Sequence, residues 1–239
     1  HAVISHEGDL NYNGESGALN ESFSDIMGVA FERWVIGTVD WFIGEDRGSP
    51  LRSLSQPNSY GEHFTSNSCT NCSTCSRATG QPDTYQGTYW YTGSCDNGGV
   101  HINSGVQNYW FYLLTNGGSG TNDLGNSYNV TSISFSDAIA IVYRNITHEV
   151  GGSDNYSDAR QGSINAATYL FGANSQQVCA VKQAWYAVGV GTNCTTATTC
   201  TTPTGTSETS IGQTSSSLDW SNVSSALSYT VRYRVSGTS

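Results

Sequence analysis

"NYNGESGALNESFSDIMG", residues 11–28, is the stretch whose reading decides the fold. Leu19, Phe23, Ile26, Met27 and, just beyond it, Ala30 recur at helical spacing. That spacing predicts a helix over residues 15–37, with Ser16 available as N-cap. The other side of this helix carries Glu21, Asp25, Gly28 and Glu32. At 100° per residue these four lie within about 60° of one another and form one acidic stripe. Most acidic stripes are solvated faces. This one is set apart by His1, which stands twenty residues before Glu21.

Working outward, helical spacing returns in "NSGVQNYWFYLLTNGG" (103–118), "SFSDAIAIVYRNITHEV" (134–150), "SDARQGSINAATYLFG" (157–172) and "SQQVCAVKQAWYAVGVG" (175–191). Three of these four stop at glycine, as helix C-caps do. Residues 38–100 are instead punctuated by Gly, Pro, Asn and Ser and read as loop-rich. The expected fold is therefore mainly α over residues 1–191. From Thr192 the composition turns to a Thr/Ser tract, expected to be a linker over 192–202 that Cys194 and Cys200 staple. Beyond it, Leu218 and Trp220, then Tyr229, Val231, Tyr233 and Val235, alternate at period two and read as strands. Residues 203–239 resemble the first three strands of a fibronectin type III module, an incomplete β-sandwich, since a whole one needs about seven strands.

Composition excludes several partners. Only 9 Lys and Arg stand against 19 Asp and Glu, for a formal net charge of −10. With no basic run, neither nucleic acid nor an anionic membrane surface is an expected partner. No stretch approaches the roughly 18 apolar residues that would insert in a bilayer. Seven cysteines, four of them at positions 69, 72, 75 and 95, point to disulfides in an oxidising, extracellular compartment. The alternative is a metal or redox centre, because Cys69, Cys72 and Cys75 form C-x2-C-x2-C. Against it, Cys95 falls twenty residues after Cys75, and no nearby Cys/His pair completes a zinc ribbon. His6, His63 and His148 read as surface residues.

"HAV" (1–3), the opening stretch, "LRS" (51–53) and "DNGGVHINSGV" (96–106) together resemble the thermolysin family of secreted neutral zinc metalloendopeptidases. The resemblance spans about residues 1–190 and implies the helical C-terminal lobe of such a catalytic domain. In that family H-E-x-x-H places two zinc histidines one helical turn apart, with the general-base glutamate between them. His1 matches the second histidine, so the chain is expected to be a fragment cut inside the motif. It lacks the first histidine and the base, and is expected to be inactive by itself.

Residue by residue, the resemblance implies Glu21 as the third zinc ligand and Asp25 as the acceptor that orients the missing histidine. It makes His101 and Tyr12 the donors to the oxyanion, with Asp96 holding the His101 ring. Arg52 would bind the substrate carbonyl after the scissile bond, while Leu51 and Ile43 would line the pocket for the next side chain. Glu32, Asp40 and Glu45 would be carboxylate ligands of a structural Ca2+. Phe42 stands where a further carboxylate would complete a second ion, so one calcium at most is expected there. The cysteine-rich segment between Tyr60 and Cys95 has no counterpart of that length in the family.

The implied activity is hydrolysis of internal peptide bonds by Zn2+-activated water, before bulky hydrophobic residues, in protein or peptide substrates. A secreted binding or adhesion protein built on a degenerate peptidase lobe is the competing reading.

Overall fold

The computed structural model describes residues 1–194, 204–209, 212, 215 and 217–221. They fall into two compact units, His1–Cys194 and Thr195–Ser239.

The first unit opens with α1 (Ala2–Glu7) and the long α2 (Gly14–Ile36). The bounds of α2 agree with the sequence reading to one residue, but its cap does not. Extended Asn13 is the N-cap, and the Ser16 hydroxyl donates to the carbonyls of Asn11 and Asn13 instead of accepting an N–H. Positioned inside the first turn, Ser16 faces the preceding loop and ties it down. At the other end Gly37, at φ 87°, takes the left-handed conformation and donates to Arg33.

Short ladders and loops follow, as expected. β1 (Phe42–Ile43) pairs antiparallel with β2 (Arg52–Ser53), and β3 (Glu62–Phe64) with β4 (Arg77–Thr79). Then come α3 (Asp96–Asn103) and α4 (Gly105–Asn116). A hairpin of β5 (Gly118–Thr121) and β6 (Ser127–Val130) leads to α5 (Phe135–Arg144) and a π turn at Asn145–Glu149. α6 (Tyr156–Phe171) and α7 (Gln176–Ala187) complete the unit. The capping box of Asn155 and Asp158 starts α6, and Ser175 caps α7.

The main core gathers where α2, α4, α6 and α7 meet. Trp110 and Trp185 stack at 4.8 Å between centroids, Tyr156 meets Trp185 edge-on, and Trp185 Nε1 donates to Ser163 Oγ at 2.8 Å. Leu19, Phe23 and Ile26 bury the apolar face of α2 here, each contributing roughly 1.5–3 kcal/mol. The acidic face is buried too, with Glu21 only 3% and Asp25 5% exposed. That burial covers the first half of the stripe only: Gly28 is exposed and Glu32 is partly so. A smaller second core joins Phe64, Tyr91, Cys95 and Ile102, with Cys72 and Cys75 packed against it.

Disulfides join Cys69 to Cys75, Cys72 to Cys95 and Cys179 to Cys194. The first two settle the C-x2-C-x2-C motif as a disulfide framework. The third corrects the expected staple: Cys194 bonds back to α7, closing the chain onto the helix it has just left. Cys200 lies outside the described residues. In the second unit β7 (Ser207–Thr209) pairs antiparallel with β8 (Ser217–Asp219), just before Trp220. The strand expected over Tyr229–Val235 also lies outside them.

Candidate active site

α2 supplies the centre of the site. Gly17 allows this, because a Cβ there would meet the Val100 side chain and lie 3.0 Å from the Tyr12 backbone. The contact brings α3 and the Tyr12 loop onto the same face as Glu21.

The buried Glu21 carboxylate is the hub. Its Oε1 accepts from the Tyr12 hydroxyl at 2.5 Å and lies 3.3 Å from His1 Nε2. Its Oε2 lies 3.5 Å from both Arg52 Nη2 and His101 Nε2. Tyr12 Oη is 3.1 Å from His101 Nε2, closing the ring of donors. On the far side of His1, Nδ1 meets Asn20 Oδ1 at 3.0 Å and Ser24 Oγ at 3.1 Å, which turns Nε2 toward Glu21.

Asp96 grips His101 twice, through ring Nδ1 at 2.6 Å and backbone N–H at 2.8 Å. The grip needs a tight backbone: Asp96, Asn97, Gly98 and Gly99 all have positive φ, from 50° to 83°. Two glycines and two residues of the types that best tolerate the left-handed region supply it. The hydrogen bond that the His101 ring donates to Asp96, with the charges of Asp96 and Glu21, raises the His101 pKa against the opposing cost of burial. The imidazolium therefore persists to higher pH than in a free histidine. Burial, then the hydrogen bond to Glu21, pushes the Tyr12 phenol well above its ordinary range. It stays a neutral donor.

Arg52 is held by Asp25 through a two-pronged pair, Nε at 2.8 Å and Nη2 at 2.6 Å. Asn108, which the sequence reading missed, donates to Asp25 Oδ2 at 2.9 Å and accepts from Ser22 at 2.8 Å. Gln81, also missed, donates to the His101 carbonyl at 2.7 Å. Buried amides carry no motif, and nothing in the sequence singled them out. Leu51 is half exposed beside Arg52, whereas Ile43, opposite Arg52 in the β1–β2 ladder, packs against the main core. His6 and His148 bond their neighbours Glu7 and Thr147, as surface residues. His63 is different: its Nδ1 bonds the Gly80 carbonyl at 2.8 Å and its ring packs on Tyr89 at 4.3 Å.

Two metals were expected, and the donor sets can be tested against them. Zinc bonds of about 2.0–2.1 Å at tetrahedral angles separate two ligand atoms by roughly 3.3 Å. His1 Nε2 and Glu21 Oε1 stand 3.3 Å apart, so this pair fits zinc. Glu32 has its pKa raised by burial and then by the charges of Asp40 and Glu45, so the three carboxylates share one neighbourhood. Among the described residues, however, no three His, Cys, Asp or Glu side chains are gathered closely enough to hold an ion.

The helical lobe thus converges a buried carboxylate, two histidines, a phenol and an anchored guanidinium on one spot. Residues 8–190 match the family described as thermolysin metallopeptidase, alpha-helical domain, and the chain belongs to that family. Over 196 residues it is 42% identical to bacillolysin of Bacillus cereus, across 80% of this chain and 30% of that protein. Thermolysin of Alicyclobacillus acidocaldarius subsp. acidocaldarius is 38% identical over 196 residues, across 80% of this chain and 31% of that protein. The precursor of protealysin, a metalloproteinase from Serratia proteamaculans, matches in structure with a TM-score of 0.59 and 26% identity, over 79% of this chain and 54% of that one. The chain thus spans about 30% of the length of the curated relatives it matches.

Proposed function

We propose that the protein built on this chain is an exported zinc endopeptidase that cleaves internal peptide bonds before bulky hydrophobic residues. The observation that carries this is the buried carboxylate of Glu21, with His1, Tyr12, His101 and Arg52 all within 3.5 Å of it. A non-catalytic adhesion lobe would have no use for so much buried polarity, which is costly unless mutually satisfied.

In this reading His1 and Glu21 hold Zn2+, which when bound supplies the Lewis acidity that activates water. His101 and Tyr12 donate to the oxygen on which charge develops, and their positions are set in advance by Asp96 and Glu21. Arg52 binds the substrate carbonyl after the scissile bond, and Asp25 positions it in addition to orienting a further zinc histidine. Leu51 and Ile43 select the following side chain. Glu32, Asp40 and Glu45 hold one Ca2+, which relieves the repulsion among them. Three disulfides among the described residues suit an oxidising, extracellular setting, and no helix among them is long and apolar enough to cross a membrane. Residues 203–239 carry the resemblance to a fibronectin type III module.

The test is an assay on blocked peptides with Leu or Phe after the scissile bond. Cleavage that is lost on chelation, restored by zinc and abolished by Glu21→Gln is expected. Chelator-resistant cleavage would overturn the reading.

A further inference from the structure

The cysteine-rich segment has no part in the chemistry above, yet it lies against the site. A cavity of about 660 Å³ has Arg52, Asp96 and His101 on one side and Glu62, His63 and Arg77 of the β3–β4 hairpin on the other. Its volume is in the range of ordinary ligand pockets, roughly 300–1,000 Å³. Leu51 and Phe64 also line it. The hairpin is therefore a wall of the same cleft that His101 opens into.

The wall is fixed to the site covalently. The Cys72–Cys95 disulfide ties the hairpin's loop to the residue immediately before Asp96, and Cys69–Cys75 closes that loop on itself. Phe64 from the hairpin and Ile102, next to His101, pack in one small core with Cys95. Strands of three residues would not hold a position alone. Stapled and packed, the wall moves with the Asp96–His101 pair.

What the wall offers is a balanced pair. Glu62 Oε2 and Arg77 Nη1 lie 3.1 Å apart, both side chains about half exposed or more, and the Arg77 guanidinium rests 4.8 Å above the centre of the Phe64 ring. Their charges cancel, while spare guanidinium donors and carboxylate lone pairs remain free. Such a pair suits the N–H and C=O groups of a peptide backbone and favours no charged side chain.

Resting on the endopeptidase reading, we infer that the stapled hairpin is a substrate-binding wall. In this inference Glu62 and Arg77 engage the polypeptide backbone on the C-terminal side of the residue held at Leu51. The occupant is the substrate's own continuing chain, because this cavity is continuous with Arg52 and His101. The wall rewards chain length beyond the cleaved bond, whatever the sequence there.

The experiment compares kcat/KM for two blocked peptides with the same scissile bond, one ending just after the hydrophobic residue and one extending several residues further. The long-to-short ratio exceeds one in the wild-type protein and falls about threefold in E62A/R77A, the scale of a partly exposed ionic contact. A second arm varies charge in the extension. Glu62→Gln leaves Arg77 uncompensated and shifts preference toward an acidic side chain by about threefold, and Arg77→Gln shifts it toward a basic one. An unchanged length ratio together with unchanged charge preference overturns the wall. Both arms use the whole protein built on this chain, first histidine and general base included; its failure to cleave either peptide overturns the endopeptidase reading itself, and the inference with it.

Discussion

Two walls face one another across His101, and they are held by different forces. On the α2 side, buried apolar mass does the work: Leu19, Phe23 and Ile26 pack into a core centred on stacked Trp110 and Trp185, and the carboxylates ride on that frame. On the hairpin side, four buried side chains and two disulfides serve instead. A segment of this size cannot bury enough surface to order itself, so covalent closure substitutes for a core. Depth of packing holds one wall, and covalent closure holds the other.

The largest effect that can break this comparison lies in the main core. Trp185→Ala should cost about 3–5 kcal/mol of stability, because a fully buried indole and its bond to Ser163 are lost together. Denaturant unfolding measures it; a cost below that of Phe64→Ala would mean the two walls are not held differently.

Next in size, His101→Ala should lower kcat by about 10² to 10³ while KM moves little, since an oxyanion donor acts in the transition state. Near-normal turnover would remove His101 from the chemistry and leave the cleft with only binding walls.

Replacing Cys72 and Cys95 together by Ala opens a link spanning 23 residues, worth about 3 kcal/mol in the loop-entropy account. Hydrogen exchange should quicken across residues 62–95 and leave α2 protected. Equal quickening of α2 would show that the staple supports both walls.

The smallest effect is at Asp83, in the loop between β4 and α3. Burial holds the Asp83 carboxyl above its ordinary pKa of 3.8, against hydrogen bonds from Thr84 and Asn58 that lower it. With the folded pKa raised, this group's stability contribution is fully present below the ordinary aspartate value and is lost as pH rises through the folded one. Asp83→Asn should therefore lose less stability than the wild type as pH climbs above 3.8. Parallel stability–pH curves for the two proteins would show that Asp83 carries no such cost.

Much of the frame was legible in residue order. The apolar repeat of α2 fixed its extent to one residue, and the family resemblance carried by "HAV", "LRS", "DNGGVHINSGV" and the opening stretch marked residues that the fold brings together. The cap was misread because Ser16 and Asn13 both precede the same apolar run, and only the loop geometry shows which one stays extended. Cys194 was paired with its neighbour in the Thr tract for a similar reason: short separation was taken for proximity.

The sequence by itself determined the helices, the acidic stripe and the family, because helical periodicity and motif spacing are local and survive without knowledge of what lies across the chain. Only the tertiary structure decided that the stripe is buried at Glu21 and Asp25, that Asp25 grips Arg52 with help from Asn108, that Cys194 bonds Cys179, and that a hairpin from the loop-rich segment faces His101. Each of those depends on which residues far apart in sequence come within a few ångströms. That is set by the packing of the whole core, which no short window of residues contains.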